Sequence, residues 1–199
     1  MSLIACMRFS KPRSLQVAAV ALVTLSLLYP GIVYLSRTLV PASAFIVVAL
    51  ALIIARLATL RSAAERFWRM PLAAAAMTIA ALAMLDAPLA VKAYPAAISL
   101  AASIVFGATL VHPPSMIERF ASLREPELAP AARRYCRRVT IVWTVWLIAN
   151  TIVSAVLAIP GYDAAWAIWT GLVAYLVMGA LFVGEIAIRR FLLARAART

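Results

Sequence analysis

The sequence is short of nearly everything a soluble enzyme uses. Only 13% of its 199 residues are charged, seven are acidic and one is a histidine. An average soluble domain is about 25% charged. The two cysteines, Cys6 and Cys136, cannot form a disulfide framework. One histidine and no paired cysteine spacing leave nothing to hold zinc. No P-loop, nucleophile elbow or metalloprotease helix pattern occurs, so the sequence asks for no cofactor and no metal.

What the chain has in excess is apolar surface. Hydrophobic residues make up 66% of it, and the mean hydropathy is +0.99. A soluble fold of this size cannot hide that much, because much of any compact surface stays exposed. The expectation is an all-α, polytopic integral membrane protein with one membrane domain over 1–199. The net charge of +12 does not argue for nucleic acid. The basic residues lie between apolar runs of spanning length and not on one soluble face.

A helix needs roughly 20 apolar residues to cross about 30 Å of hydrocarbon. The hydropathy predicts six such spans, at about 15–35, 40–58, 70–85, 94–111, 139–159 and 165–188, the third being the shortest. Of the 19 basic residues, only Arg37 and Lys92 fall in the odd-numbered connections. The rest gather at the N-terminus, in the segments after spans two and four, and at the C-terminus. By the positive-inside rule both termini are cytoplasmic, and the charge reports orientation and contact with anionic membrane lipids.

Helices in lipid associate through small residues and interhelical hydrogen bonds. Ser99, Ser103 and Gly107 recur at spacing four on span four, and Gly171, Tyr175 and Gly179 do so on span six. On span five Thr140, Thr144, Asn150, Thr151 and Ser154 fall within an arc of about 120°. These faces predict a packed unit of spans four, five and six. They also leave open a polar-lined path, with Asn150 its sharpest member. Trp143 and Trp146 on span five, and Trp166 and Trp169 on span six, suit interfacial belts.

The connection 112–138 carries the most information. His112-Pro113-Pro114 ends span four. Ser115 stands three residues before Glu118, a capping box that opens a short helix. Met116, Ile117, Phe120 and Leu123 give that helix an apolar face for the inner leaflet. Phe120, Arg133, Arg134, Arg137 and Arg138 are the expected lipid or partner contacts. His112 with Glu118 is the one candidate acid–base pair for catalysis. Glu185 stands four residues before Arg189, a helical ion-pair spacing. Asp86 and Asp163 are read as solvating or capping short connections.

One run in this half has a familiar look. It comprises Pro114-Ser115-Met116-Ile117-Glu118-Arg119, Glu125-Pro126-Glu127-Leu128, Tyr135, Arg137-Arg138-Val139-Thr140, Trp143 and Asn150. With the tail Phe182-Val183-Gly184-Glu185 and Arg189-Arg190, it resembles a family of small bacterial inner-membrane proteins. That family is encoded among fatty-acid-like synthesis genes of aryl polyene and xanthomonadin-type pigment clusters. The same region, about 90–190, is more distantly similar to the intracellular septation protein A family. The two residues between Lys92 and Pro95 depart from that family's lysine–proline pattern.

Neither family brings catalytic residues to these positions. The resemblance implies a non-catalytic accessory role in envelope lipid or aryl polyene assembly, with lipid- or polyene-synthesis enzymes as partners. A transporter or flippase, a septation or envelope-integrity protein, and a membrane acyltransferase resting on His112 are the alternatives. Homo-oligomerisation stays open.

Overall fold

The computed structural model describes residues 24, 28–36, 38–60, 68–123, 125 and 127–196, excepting the side chains of 59 and 189–196. Several expectations lie outside these residues: most of span one, Cys6, Arg8, Lys11, Arg13, Arg61, Arg66, Arg124 and Arg198. The same holds for the Glu185–Arg189 pair, whose arginine side chain is not among those described.

A helical stretch over 28–36 (α1) leads into α2 (Ala42–Thr59) and α3 (Arg69–Leu85). Then follow α4 (Ala87–Val111), the short α5 (Met116–Ser122) and α6 (Pro130–Leu157). The last run is α7 (Asp163–Ile168), a wide π turn at Trp169–Val173 and α8 (Ala174–Ala196). Three runs are long and apolar enough to cross a membrane: Ala87–Val111, Pro130–Leu157 and Asp163–Ile188, of 25, 28 and 26 residues. At about 1.5 Å per residue each exceeds a hydrocarbon core of roughly 30 Å. The apolar helices α2 and α3 are shorter, at 18 and 17 residues.

The surface agrees with a membrane protein. Val47, Met77, Val145, Leu176 and Val183 are all exposed apolar side chains, spread over four helices. In water so much apolar surface would be an aggregation hazard.

Two helices begin earlier than the hydropathy predicts. Helix α4 starts at Ala87 instead of about Tyr94, because Asp86 Oδ1 accepts the Leu89 N–H at 2.9 Å and Pro88 suits a first turn. Helix α6 starts at Pro130 instead of about Val139, again with proline in its first turn. Its first turns are a basic prelude to the apolar part. At the far end of α6, Gly161 turns the chain with φ +99°, a left-handed conformation that favours glycine.

Helix α4 is central and packs on α2, α3 and α6. The apolar core gathers Tyr29 from α1, Phe45, Ala49 and Ile53 from α2, Leu72 and Ile79 from α3, and Tyr94 from α4. Trp166 of α7 joins it and is only 1% exposed. Pro95 lies inside α4 and has no N–H to offer Val91 O. The Tyr29 hydroxyl takes over, 3.2 Å from Val91 O and 3.4 Å from Phe45 O, sharing its proton between them. A packed tyrosine thus repairs the gap that proline opens in the helix ladder.

Candidate functional site

Two polar assemblies stand out: a seam along α4, α6 and the π turn, and a clamp at the α5 end of the bundle. The seam grows from the periodic polar face of α6. Thr140, Thr144, Asn150 and Ser154 are all buried. Asn150 Nδ2 donates to Ser99 Oγ of α4 at 2.7 Å. Trp169 Nε1, in the π turn, donates to Asn150 Oδ1 at 3.0 Å. One amide therefore joins three helical segments and meets the demand a polar group makes away from water. Thr144 and Thr151 instead donate to carbonyls one turn back, Thr140 O and Leu147 O, both at 2.8 Å. Ser103 likewise donates to Leu100 O at 2.8 Å.

Beside this amide lies an inner cavity of about 200 Å³. Arg56, Tyr94, Pro95, Ser154, Thr170 and Tyr175 are among the residues lining it. Two helix irregularities therefore face it: Pro95 in α4 and the π turn through Thr170. The Ser154 oxygen is fully buried there and has no hydrogen-bond partner. Widened turns and orphaned polar atoms mark places where a helix serves something other than its own ladder.

The clamp begins at the predicted capping box. Ser115 and Glu118 adopt the arrangement, and Glu118 Oε2 accepts the Ser115 N–H at 3.3 Å. The Ser115 hydroxyl is looser, buried with no partner at hydrogen-bond distance. Threonines of the long helices take the α5 amides instead. Met116 N donates to Thr109 Oγ1 at 2.9 Å, and Ile117 N to Thr140 Oγ1 at 3.2 Å. Each hydroxyl also donates backward, Thr109 to Phe106 O and Thr140 to Cys136 O. Both are thus satisfied as donor and acceptor.

The arginines fasten the same end from outside. Arg137 Nη1 donates to Leu110 O at 2.8 Å, at the C-terminus of α4 where carbonyls lack helix partners. Arg119 Nε donates to Pro114 O at 2.9 Å and Arg133 Nε to Leu128 O at 3.1 Å. Arg133 also stands 3.8 Å from Glu118 Oε1.

The other predicted residues fall as follows. Gly107 sets its α-carbon against Thr144, where an added Cβ would meet Cγ2 at 3.7 Å. Gly171 approaches Pro30 of α1 at 3.9 Å on the same measure. Gly179 differs from the expected packing role: it is exposed, with nothing within 4 Å of an added Cβ. His112 is exposed at the C-cap of α4, and the carboxylate of Glu118 is engaged by Ser115 and Arg133. Phe120, Arg134 and Arg138 are exposed. Among the described residues no group of three or more His, Cys, Asp or Glu side chains could hold a metal ion.

The tryptophans depart most from expectation. Trp166 is no interfacial belt residue; it is buried and donates from Nε1 to Lys92 O at 3.2 Å. Trp169 joins the Asn150 network. Trp146 lies 6.3 Å from Trp169 between ring centres, and Trp143 meets Phe182 edge-on at 5.7 Å. Thr109 had no role in the sequence reading, and Lys92 counted only as a basic residue of an odd-numbered connection. The Lys92 contacts, to Asp163 and Trp166, join residues distant in the chain. No family model, curated relative or solved structure matches this chain.

Proposed function

We propose that this chain is a multi-pass protein of the bacterial inner membrane, crossing it six times with both termini in the cytoplasm. Its role is that of a non-catalytic accessory in envelope lipid or aryl polyene assembly. The orientation follows from the segregation of the basic residues. The role is the one implied by the resemblance of about residues 90–190 to the pigment-cluster family.

One observation favours an accessory over an enzyme: the tying of α5 to the bundle. Thr109 and Thr140 hold its amides, so Phe120 and Leu123, 53% and 72% exposed, form a fixed apolar patch. Exposed Arg134 and Arg138 lie on the following helix. Such a patch suits docking of a lipid- or polyene-synthesis enzyme at the inner leaflet. Acyl transfer at His112 has less behind it, since Glu118 already serves the capping box and Arg133.

A second reading, a transporter or flippase for a lipid-linked product, is favoured by the inner cavity and its unpartnered Ser154 oxygen. The test is to compare organic-solvent extracts of a gene-deletion strain and its parent by liquid chromatography with absorbance and mass detection. The accessory reading expects a polyene or acylated lipid to vanish or a precursor to build up. Finished product trapped on the inner side of the membrane would favour the transporter. Matching extracts overturn both, and the septation or envelope-integrity role then leads.

A further inference from the structure

Both aspartates of the chain, Asp86 and Asp163, and one of its two lysines, Lys92, line a single cavity. This cavity, about 320 Å³, lies at the end of the bundle opposite α5, where α3 turns into α4 and α6 into α7. Its other walls include Val33, Phe45, Leu89 and Trp166. It is separate from the inner cavity but stacked on it along the same helices. Val91, Ala158 and Trp166 line the one; Pro95, Ser154 and Thr170, a turn away on each helix, line the other. Aromatic side chains line both, Trp166 the one and Tyr94 the other. The Tyr29 and Tyr94 rings pack at 4.8 Å, and these two tyrosines and Trp166 are all buried.

The charges here pair beside a cavity. Lys92 and Asp163 form an ion pair whose side chains are 14% and 39% exposed. Asp86 gives one oxygen to the start of α4, which leaves the other for a ligand. Among the described residues, two carboxylates and one ammonium line this cavity between mainly apolar walls. The chain next to this lining is open to lipid: Leu35, Leu39, Met84 and Leu85 are 80–85% exposed.

We propose that this cavity binds the head group of a zwitterionic phospholipid with a primary ammonium, of the phosphatidylethanolamine type. The ammonium meets Asp86 and Asp163, the phosphodiester meets Lys92, and the acyl chains leave along the exposed leucines and methionine. Binding gives Lys92 and Asp163 each a counter-charge from the lipid, which keeps the largely buried lysine paired. A phosphatidylglycerol head group has no ammonium to offer the two carboxylates. A choline head group has no N–H to donate to the carboxylates. The inference rests on the membrane reading and on neither the accessory role nor the direction in which the chain is inserted.

The test is native mass spectrometry of the full-length protein in detergent, with dioleoyl phosphatidylethanolamine, phosphatidylglycerol or phosphatidylcholine added in turn. The wild type is expected to retain the ethanolamine lipid severalfold over the other two. Asp86→Asn is the deciding variant, because asparagine caps a helix as well as aspartate does but carries no charge. It should lower the ethanolamine-to-glycerol ratio by roughly tenfold, the loss of one charge-assisted hydrogen bond, with an unchanged melting curve. The double variant Lys92→Met with Asp163→Asn keeps Asp86 and should retain a reduced preference for the ethanolamine lipid. If that variant fails to fold, Asp86→Asn still decides. Equal retention of the three lipids by the wild type, or an unchanged ratio in Asp86→Asn, overturns the proposal. Labelling of Tyr162→Cys from outside intact cells tests the orientation separately, so the two failures are distinguishable.

Discussion

The two ends of the helix bundle hold their connections by opposite means. At the α5 end the buried partners are neutral: Thr109 and Thr140 each accept one amide and donate to one carbonyl. The arginines there stay on the outside and fasten carbonyls. At the Asp86 end charged side chains line a cavity of about 320 Å³, Lys92 largely buried and Asp86 exposed. A hydroxyl that has already given its proton has none to offer a ligand, and such a network serves rigidity. A charged group beside empty space still has an interaction to make. The comparison separates a scaffold end from a binding end.

The largest expected effect would break the scaffold side. Replacing Thr109 and Thr140 together by valine keeps the shape and strands the Met116 and Ile117 amides. Each lost acceptor costs about 1–3 kcal/mol. The connection 112–129 should become a protease site in the double variant while the long helices persist by circular dichroism. A double variant as resistant as the wild type would mean that α5 is held by its apolar contacts alone, and the contrast between the ends would go.

Next comes the seam between the ends. Asn150→Leu removes the link from Ser99 to Trp169 and leaves the indole N–H without its partner. In membrane settings interhelical hydrogen bonds are worth about 0.6–2 kcal/mol, so thermal unfolding in detergent should fall by that order. If Asn150→Leu unfolds at the wild-type temperature, the amide is dispensable to packing, and a role toward the inner cavity gains weight.

At the Asp86 end the ion pair should respond unevenly. Asp163→Asn leaves Lys92, the more deeply buried partner, without its counter-charge; Lys92→Met leaves Asp163 half in solvent. The first variant should be the less stable, by an amount on the order of 1 kcal/mol after allowing for exposure. The double variant should recover part of the loss. Equal effects would indicate that the pair is a surface ornament and that the cavity's charge is not held in place.

These contrasts were unevenly legible in the sequence. Period and length gave the polar face of α6, the small-residue ladder of α4, the brevity of α3 and the start of α5 after Ser115. All of these are local patterns. The means by which α5 is capped was not local: its second donor pair spans 23 residues, from Ile117 to Thr140. Lys92 and Asp163 read as separate loop charges because nothing local joins them. Trp166 read as a belt residue because an apolar ring with one N–H suits an interface and a core equally, and only the carbonyl of Lys92 decides. Pro95 stays inside α4 because Tyr29, from another helix, takes the carbonyl it leaves open.

The smallest expected change in stability tests the most consequential alternative. His112 is exposed where α4 ends, and its backbone N–H already closes the helix on Ala108 O at 2.8 Å. Alanine keeps that bond, so His112→Ala should change stability by no more than about 0.5 kcal/mol, as surface substitutions do. A stability change that small makes the variant a clean probe of chemistry. General acid–base catalysis by a histidine contributes roughly 10²–10⁴-fold, far beyond what a mild structural change could imitate. If a deletion strain carrying His112→Ala restores the extract profile in full, the residue performs no acid–base step. If the profile stays that of the deletion strain with the protein present at normal level, the α5 end is a reaction centre. The scaffold assignment for that end then falls, however well its threonines are satisfied.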